Sequence, residues 1–211
     1  QGTDNVLRQR FSKAKVRIKR IRKLIGKIGY RPVVAAGILP SLLYGAEVNY
    51  YSKRQLNDVR TMMTNATGWR QPGVSNDLFF GMAGPKADPI FRAQAAPILR
   101  YARELEMRQT AKENCQVSTN ILSDREIARI YHLVNQSAMN CRENGPVHVL
   151  AEGLNNLRCS LISPVTIRVG SKYINMTICP GAYLAKILEQ QHLQIIAARL
   201  SQDQLGADMN Q

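Results

Sequence analysis

Leu7-Arg-Gln-Arg-Phe-Ser-Lys-Ala-Lys-Val-Arg-Ile-Lys-Arg-Ile-Arg-Lys-Leu-Ile-Gly-Lys-Ile28 decides how the chain begins. Leu7, Phe11, Ala14, Ile18, Ile21, Ile25 and Ile28 recur at alternating spacings of four and three, which places them on one stripe of an α-helix. Cations take nearly all the remaining circumference. Up to Pro32 these are Arg8, Arg10, Lys13, Lys15, Arg17, Lys19, Arg20, Arg22, Lys23, Lys27 and Arg31, and Asp4 is the one acid. A run of Lys and Arg is usually a solvated face. Here a single acid, Asp4 four residues before Arg8, stands at i±4 to any of these cations, so the helix is expected to dock its apolar stripe on the body and offer the rest to a polyanion. Gly26 and Gly29 are expected to weaken or end it.

Outward from this helix, a nearly uncharged stretch runs from Pro32 to Ala46 and is expected to be buried, with Gly37 and Pro40 bending it. Ser52 and Gln55 form a capping box that opens a helix carrying Leu56, Val59, Met62, Met63 and Ala66. Thr67-Gly68-Trp69 closes it. Trp69, a single aromatic beside Arg70, reads as a packing anchor before it reads as a base-stacking residue. Ser75 caps a short turn, and Asp88-Pro89 caps a longer helix with Ile90, Ala93, Ile98, Tyr101 and Leu105, in which Pro97 predicts a kink. After a polar linker, Ser123 and Glu126 make a second capping box for a helix with Ile127, Ile130, Tyr131, Val134 and Ala138. Gly145-Pro146 then starts a short helix with Leu150, Leu154 and Leu157. Val165–Val169 and Lys172–Thr177 read as two strands joined at Gly170-Ser171, and Pro180-Gly181 introduces a last helix with Leu184, Ile187, Leu188, Ile195 and Leu200. The fold class is therefore mainly α: a basic helical bundle over residues 1–113, then a small α+β unit with one β-hairpin over 121–211, with a soft boundary near Asn114–Ser123.

Composition bounds the function. The chain has 211 residues, 45% of them apolar, enough for a packed core, and a formal net charge of +14. Such a charge points first to nucleic acid and second to an anionic surface. No apolar run is long enough to span a bilayer, and no secretory signal is visible, although a basic helix poor in acids overlaps the description of a transit peptide. Cys115, Cys141, Cys159 and Cys179 lack metal-knuckle spacing and read as reduced, partly buried thiols. His132, His148 and His192 have no sequence partners and read as structural or solvated. Phosphate-loop, dinucleotide and zinc-protease motifs are absent. The acids Asp4, Glu47, Asp58, Asp77 and Asp88 stand alone or at helix caps, without the paired setting that two-metal chemistry needs. No catalytic residue, metal or cofactor is expected.

Gly37-Ile-Leu-Pro-Ser-Leu-Leu-Tyr-Gly-Ala-Glu-Val48, preceded by the basic helix, resembles the region after the palm in LINE-type (non-LTR) reverse transcriptases. There a Lys/Arg-rich helix leads into a G-I-x-P-x-x-x-Y-G-x-E stretch and a capped helix of L-x-x-L-R type, which Leu56 to Arg60 match loosely. Gly2-Thr3-Asp4 looks like the tail of the motif that closes that palm. Asp88-Pro89, Ala96-Pro97-Ile98, Tyr101 to Glu104, and Gly145-Pro146-Val147 with the strand after it resemble reverse-transcriptase-like proteins of single-celled algae. The resemblance covers about the first 110 residues best. It implies a thumb-like module and connector that grip a template–primer duplex by its backbone, without the palm's catalytic acids. The residues assigned to phosphate contact are Arg8, Lys13, Lys15, Arg17, Lys19, Arg20, Arg22, Lys23, Lys27, Arg31, Arg54 and Arg60. The competing expectation is a domesticated structural subunit of a large assembly, such as an organellar ribosome, docking the helix on RNA, an acidic protein or a lipid surface. A retroelement origin implies a nuclear setting and domestication an organellar one.

Overall fold

A computed structural model describes residues 2–25, 37–66, 75–114, 122–140 and 145–208. The expectations for Gly26, Gly29, Pro32, Thr67-Gly68-Trp69, Cys115 and Cys141 fall outside these residues. Among the described residues the chain forms eight α-helices and one three-stranded antiparallel sheet, so it is mainly α with a small β unit. The chain separates into two compact units. One comprises Gln1–Tyr44, Tyr51–Ile90 and Arg199–Gln211; the other comprises Gly45–Tyr50 and Phe91–Ala198.

The first unit holds α1 (Gly2–Ile25), α2 (Leu39–Leu42), α3 (Lys53–Ala66) and α4 (Asn76–Ala83). α1 packs on α2 and α3, and α3 packs on α4. Its core is built from Ala14, Ile18, Ile38, Leu39, Leu42, Leu56, Val59, Met63 and Phe80. The expected caps form. The Ser52 amide donates to Gln55 Oε1 at 2.8 Å and the Gln55 amide to Ser52 Oγ at 3.2 Å, satisfying two amides that a helix start leaves open. Likewise the Leu78 amide donates to Ser75 Oγ at 3.1 Å. Asp88 Oδ1 accepts from the Ile90 amide at 2.9 Å and so caps the next helix.

That helix, α5 (Pro89–Glu113), has its first two residues in the first unit and continues in the second from Phe91. From Phe91 onward its apolar side chains Ile98, Tyr101, Ala102 and Leu105 join one core with α6 (Asp124–Asn140), α7 (Pro146–Asn156) and the sheet. The division expected near Asn114–Ser123 therefore lies inside the second unit. The core follows the apolar face of α5.

The second sequence-read capping box also forms, with the Ser123 amide donating to Glu126 Oε2 at 2.8 Å. Arg108 and Lys112 near the end of α5 pair with Asp124 at the start of α6. α7 approaches α5 closely at Gly153, where an added Cβ would lie 2.5 Å from the Gln94 carbonyl oxygen and 3.2 Å from Pro97 Cγ.

The sheet has one strand more than the two read from the sequence. Strand β1 (Cys159–Ser163) pairs with β2 (Thr166–Val169), and β2 pairs with β3 (Lys172–Asn175) across the expected turn, with Gly170 at φ 60°. Ile167 lies opposite both Leu161 and Ile174, and all three are buried. α8 (Gly181–Asp208) contributes Leu184, Ile187 and Leu188 to this core. Tyr101 fixes the β1–β2 turn to α5 through a hydrogen bond from its hydroxyl to the Pro164 carbonyl at 2.7 Å.

Candidate nucleic-acid interface

The surface begins with the stripe that holds α1 down. Ala14 and Ile18 are buried, and Phe11 is half-buried, as the spacing predicts. With that face inward, Lys13, Lys15, Arg17, Lys19, Arg20 and Lys23 are all exposed. At 100° per residue they fall into two rows. Arg10, Lys13, Arg17 and Arg20 follow one flank of the buried stripe, and Lys15, Lys19 and Lys23 follow the other. Among the described residues none of the six exposed cations is in a salt bridge.

The spacing is dense. Ten residues of helix from Lys13 to Lys23 span about 15 Å, or about one cation per 2.5 Å of axis. A nucleic-acid duplex carries one phosphate charge per about 1.7 Å, so the two charge densities are of one order.

The other assigned residues divide. Arg54 is exposed near the start of α3 and lines an open groove of about 540 Å³ with Phe11, Ser12, Lys15, Ser52, Gln55 and Asp58. Arg54 thus joins α1 at one surface. The side chains of Arg8 and Arg22, and all of Lys27 and Arg31, fall outside the described residues.

Arg60 is in the interior. It is 4% exposed, with Nε and Nη2 donating to the two carboxylate oxygens of Asp88 at 3.0 and 2.8 Å, and Nη1 donating to Asp77 Oδ1 at 2.5 Å. Its guanidinium carbon lies 4.9 Å from the centre of the Phe80 ring. Burial on its own would lower the Arg60 pKa, but the two carboxylates outweigh it and hold the group above its ordinary value. Arg60 therefore ties α3 to α4 and to the cap of α5, and has no donor face turned to a phosphate. The same geometry changes the reading of the acids. Asp77 and Asp88, isolated in sequence, converge in space, and they converge on a cation.

The histidines are dispersed. His192 is buried with its ring 5.2 Å from Phe91, His148 lies 5.7 Å from the Tyr50 ring, and His132 is exposed beside Tyr131. Among the described residues no group of three His, Cys, Asp or Glu is placed to hold a metal ion, and no helix is long and apolar enough to cross a membrane. Cys159 is buried, which pushes its thiol up to about 12, and burial also raises Cys179.

One surface residue was not anticipated. Tyr44 belongs to the stretch expected to be buried, and Ile38, Leu39, Leu42, Leu43 and Ala46 around it are buried. Tyr44 itself is 72% exposed. The Arg10 guanidinium carbon sits 5.3 Å from its ring centre, and Arg10 Nη1 donates to the Tyr44 carbonyl at 2.7 Å. The next residue explains part of the motif. Gly45 has φ 79°, and its carbonyl accepts from the amides of Val48 at 3.0 Å and Asn49 at 2.8 Å, a tight turn that a side chain at 45 would strain.

What these features define is a mainly helical, two-unit protein with a cationic helix seated on its first unit. No protein-family model, curated protein or solved structure matches the chain.

Proposed function

We propose that this chain is a nucleic-acid-binding module that grips template–primer duplex or structured RNA through its phosphates, with α1 as the contact surface. The observation that carries this reading is the pair of cation rows on α1, exposed and free of salt bridges among the described residues, on a helix anchored by Ala14 and Ile18. A solvated face of ordinary composition would mix in acids; α1 has Asp4 and no other. Phosphate contacts need clustered cations and no base-reading geometry, so binding is sequence-tolerant and falls steeply with salt. The chain acts without polymerase chemistry of its own in this reading. Descent from the thumb and connector of a LINE-type reverse transcriptase follows from the resemblance around Tyr44–Glu47 and belongs to the same proposal. Binding of the chain to RNA–DNA hybrid, duplex RNA and single strands, followed by fluorescence anisotropy across a salt series, tests it. No binding near physiological salt removes it.

A second reading rests on the other unit. Tyr173, Ile178 and Tyr183 are 66%, 77% and 53% exposed and line an open groove of about 470 Å³ with Lys172 and Pro180. Exposed apolar surface of this kind suits a protein neighbour, as in a subunit of a larger assembly. Replacing Tyr173 and Tyr183 with serine would then release the chain from its complex without touching its affinity for nucleic acid.

A further inference from the structure

We propose that Tyr44 is a stacking platform for one unpaired nucleobase, set beside the cationic rows of α1; this rests on the nucleic-acid reading above. An exposed tyrosine is ordinary by itself. Three features make this one a built surface. First, Arg10 is stacked 5.3 Å from the ring centre and also donates to the Tyr44 carbonyl at 2.7 Å, so one face of the ring is occupied. Tyr44 is 72% exposed, so most of its surface stays open to a ligand beside Arg10.

Second, the backbone beneath the ring is held. The Tyr51 hydroxyl donates to the Leu42 carbonyl at 3.1 Å and reaches the Tyr44 carbonyl at 3.4 Å, while Tyr51 itself is buried. A ring fixed at its base gives up little freedom when a ligand stacks on it.

Third, the row that begins with Arg10 continues as Lys13, Arg17 and Arg20. A strand following that row by its phosphates passes the Tyr44 ring at one end. A cation on one face of an aromatic ring also favours an electron-rich ring on the other, and a purine answers that description. Stacking on aromatics is how single strands are held without sequence readout, and a base inside a duplex has no face to offer. Tyr44 therefore sets a preference for single-stranded or frayed ends over continuous duplex.

The test compares the wild-type chain with Tyr44→Ala and Tyr44→Trp. The probes are a purine-rich single strand of about 15 nucleotides, within the span such proteins cover, and a blunt duplex of the same sequence. The expected result is that Tyr44→Ala weakens single-strand binding by about five- to 100-fold, leaves duplex binding alone and keeps the salt slope. Tyr44→Trp, which offers a larger ring, binds the single strand at least as tightly as wild type. Unchanged single-strand affinity in Tyr44→Ala, with steep salt dependence retained, overturns the stacking platform and leaves the phosphate reading standing. Equal losses on single strand and duplex overturn it as well, because Tyr44 would then only be supporting α1. A wild-type chain that binds neither probe removes both readings.

Discussion

Replacing Asp88 with alanine removes at least three bonds at one stroke. Asp88 accepts two hydrogen bonds from the Arg60 guanidinium and one from the Ile90 amide, and it is wholly buried. The variant leaves a guanidinium that is 4% exposed with Asp77 as its remaining carboxylate partner. Breaking a buried ion pair from one side costs about 3–5 kcal/mol, and losing a helix cap adds about 1 kcal/mol. Asp77, which is 19% exposed in its side chain and so partly hydrated, offsets some of this. We expect Asp88→Ala to lose about 3–5 kcal/mol in urea unfolding followed by circular dichroism. The double variant Arg60→Met/Asp88→Asn removes both charges and keeps a capping side chain, so it should be more stable than Asp88→Ala by about 2 kcal/mol or more. Arg54→Ala, on the surface, should stay within about 0.5 kcal/mol of wild type. A loss below about 1 kcal/mol in Asp88→Ala, or a double variant no better than the single, would refute the assignment of Arg60 to the interior network.

Burial pushes the Tyr101 phenol up to about 12, so the folded state resists its ionisation. The unfolded chain loses that proton near pH 10 and the folded chain does not, so stability present below pH 10 drains away between about pH 10 and 12. Tyr101→Phe should flatten that alkaline decline in unfolding curves, while costing about 1 kcal/mol at neutral pH for the lost bond to Pro164. Gly153→Ala should destabilise the second unit by about 1–3 kcal/mol, because its Cβ meets the Gln94 backbone; thermal unfolding reads this directly. Arg158 ends α7 with φ 53°, a conformation that suits glycine. Arg158→Gly should raise stability by roughly 0.5–1 kcal/mol, and a loss of stability would show the turn is held by the arginine instead.

Local signals in the sequence carried most of the helical fold. Ser52 with Gln55, Ser75, Asp88 and Ser123 with Glu126 each mark a helix start within three residues, and each cap forms. The stripe through Ala14 and Ile18 was equally legible, because a period of 3.6 shows within a few turns. What failed was non-local. Arg60 meets Asp88 across 28 residues, which nothing nearby announces. A signal did exist: Arg60 falls among Leu56, Val59 and Met63 on one face of α3, and a cation on an apolar face needs a buried partner. The strand β1 was missed because Cys159-Ser-Leu-Ile-Ser163 has a single β-branched residue and its pairing with β2 slips between Leu161 and Ser163. Tyr44 sits among residues that are buried, and its contact with Arg10, 34 positions away, is equally non-local. The unit boundary was displaced because one helix serves two cores, and polarity in a linker says nothing about that.

A phosphate grip by the α1 cations, as proposed, shows itself in the salt dependence of binding. If the six exposed cations each neutralise one phosphate, the slope of log K against log salt on a duplex is about −5. Reversing Lys15, Arg17, Lys19 and Lys23 to glutamate changes exposed side chains only, so the fold should survive with an unchanged circular dichroism spectrum. Binding should then disappear at physiological salt, and any residual slope at low salt should be shallower by about 3 to 4. Equal affinity and equal slope in the wild type and the charge-reversed chain would mean that the α1 cations do not contact phosphate.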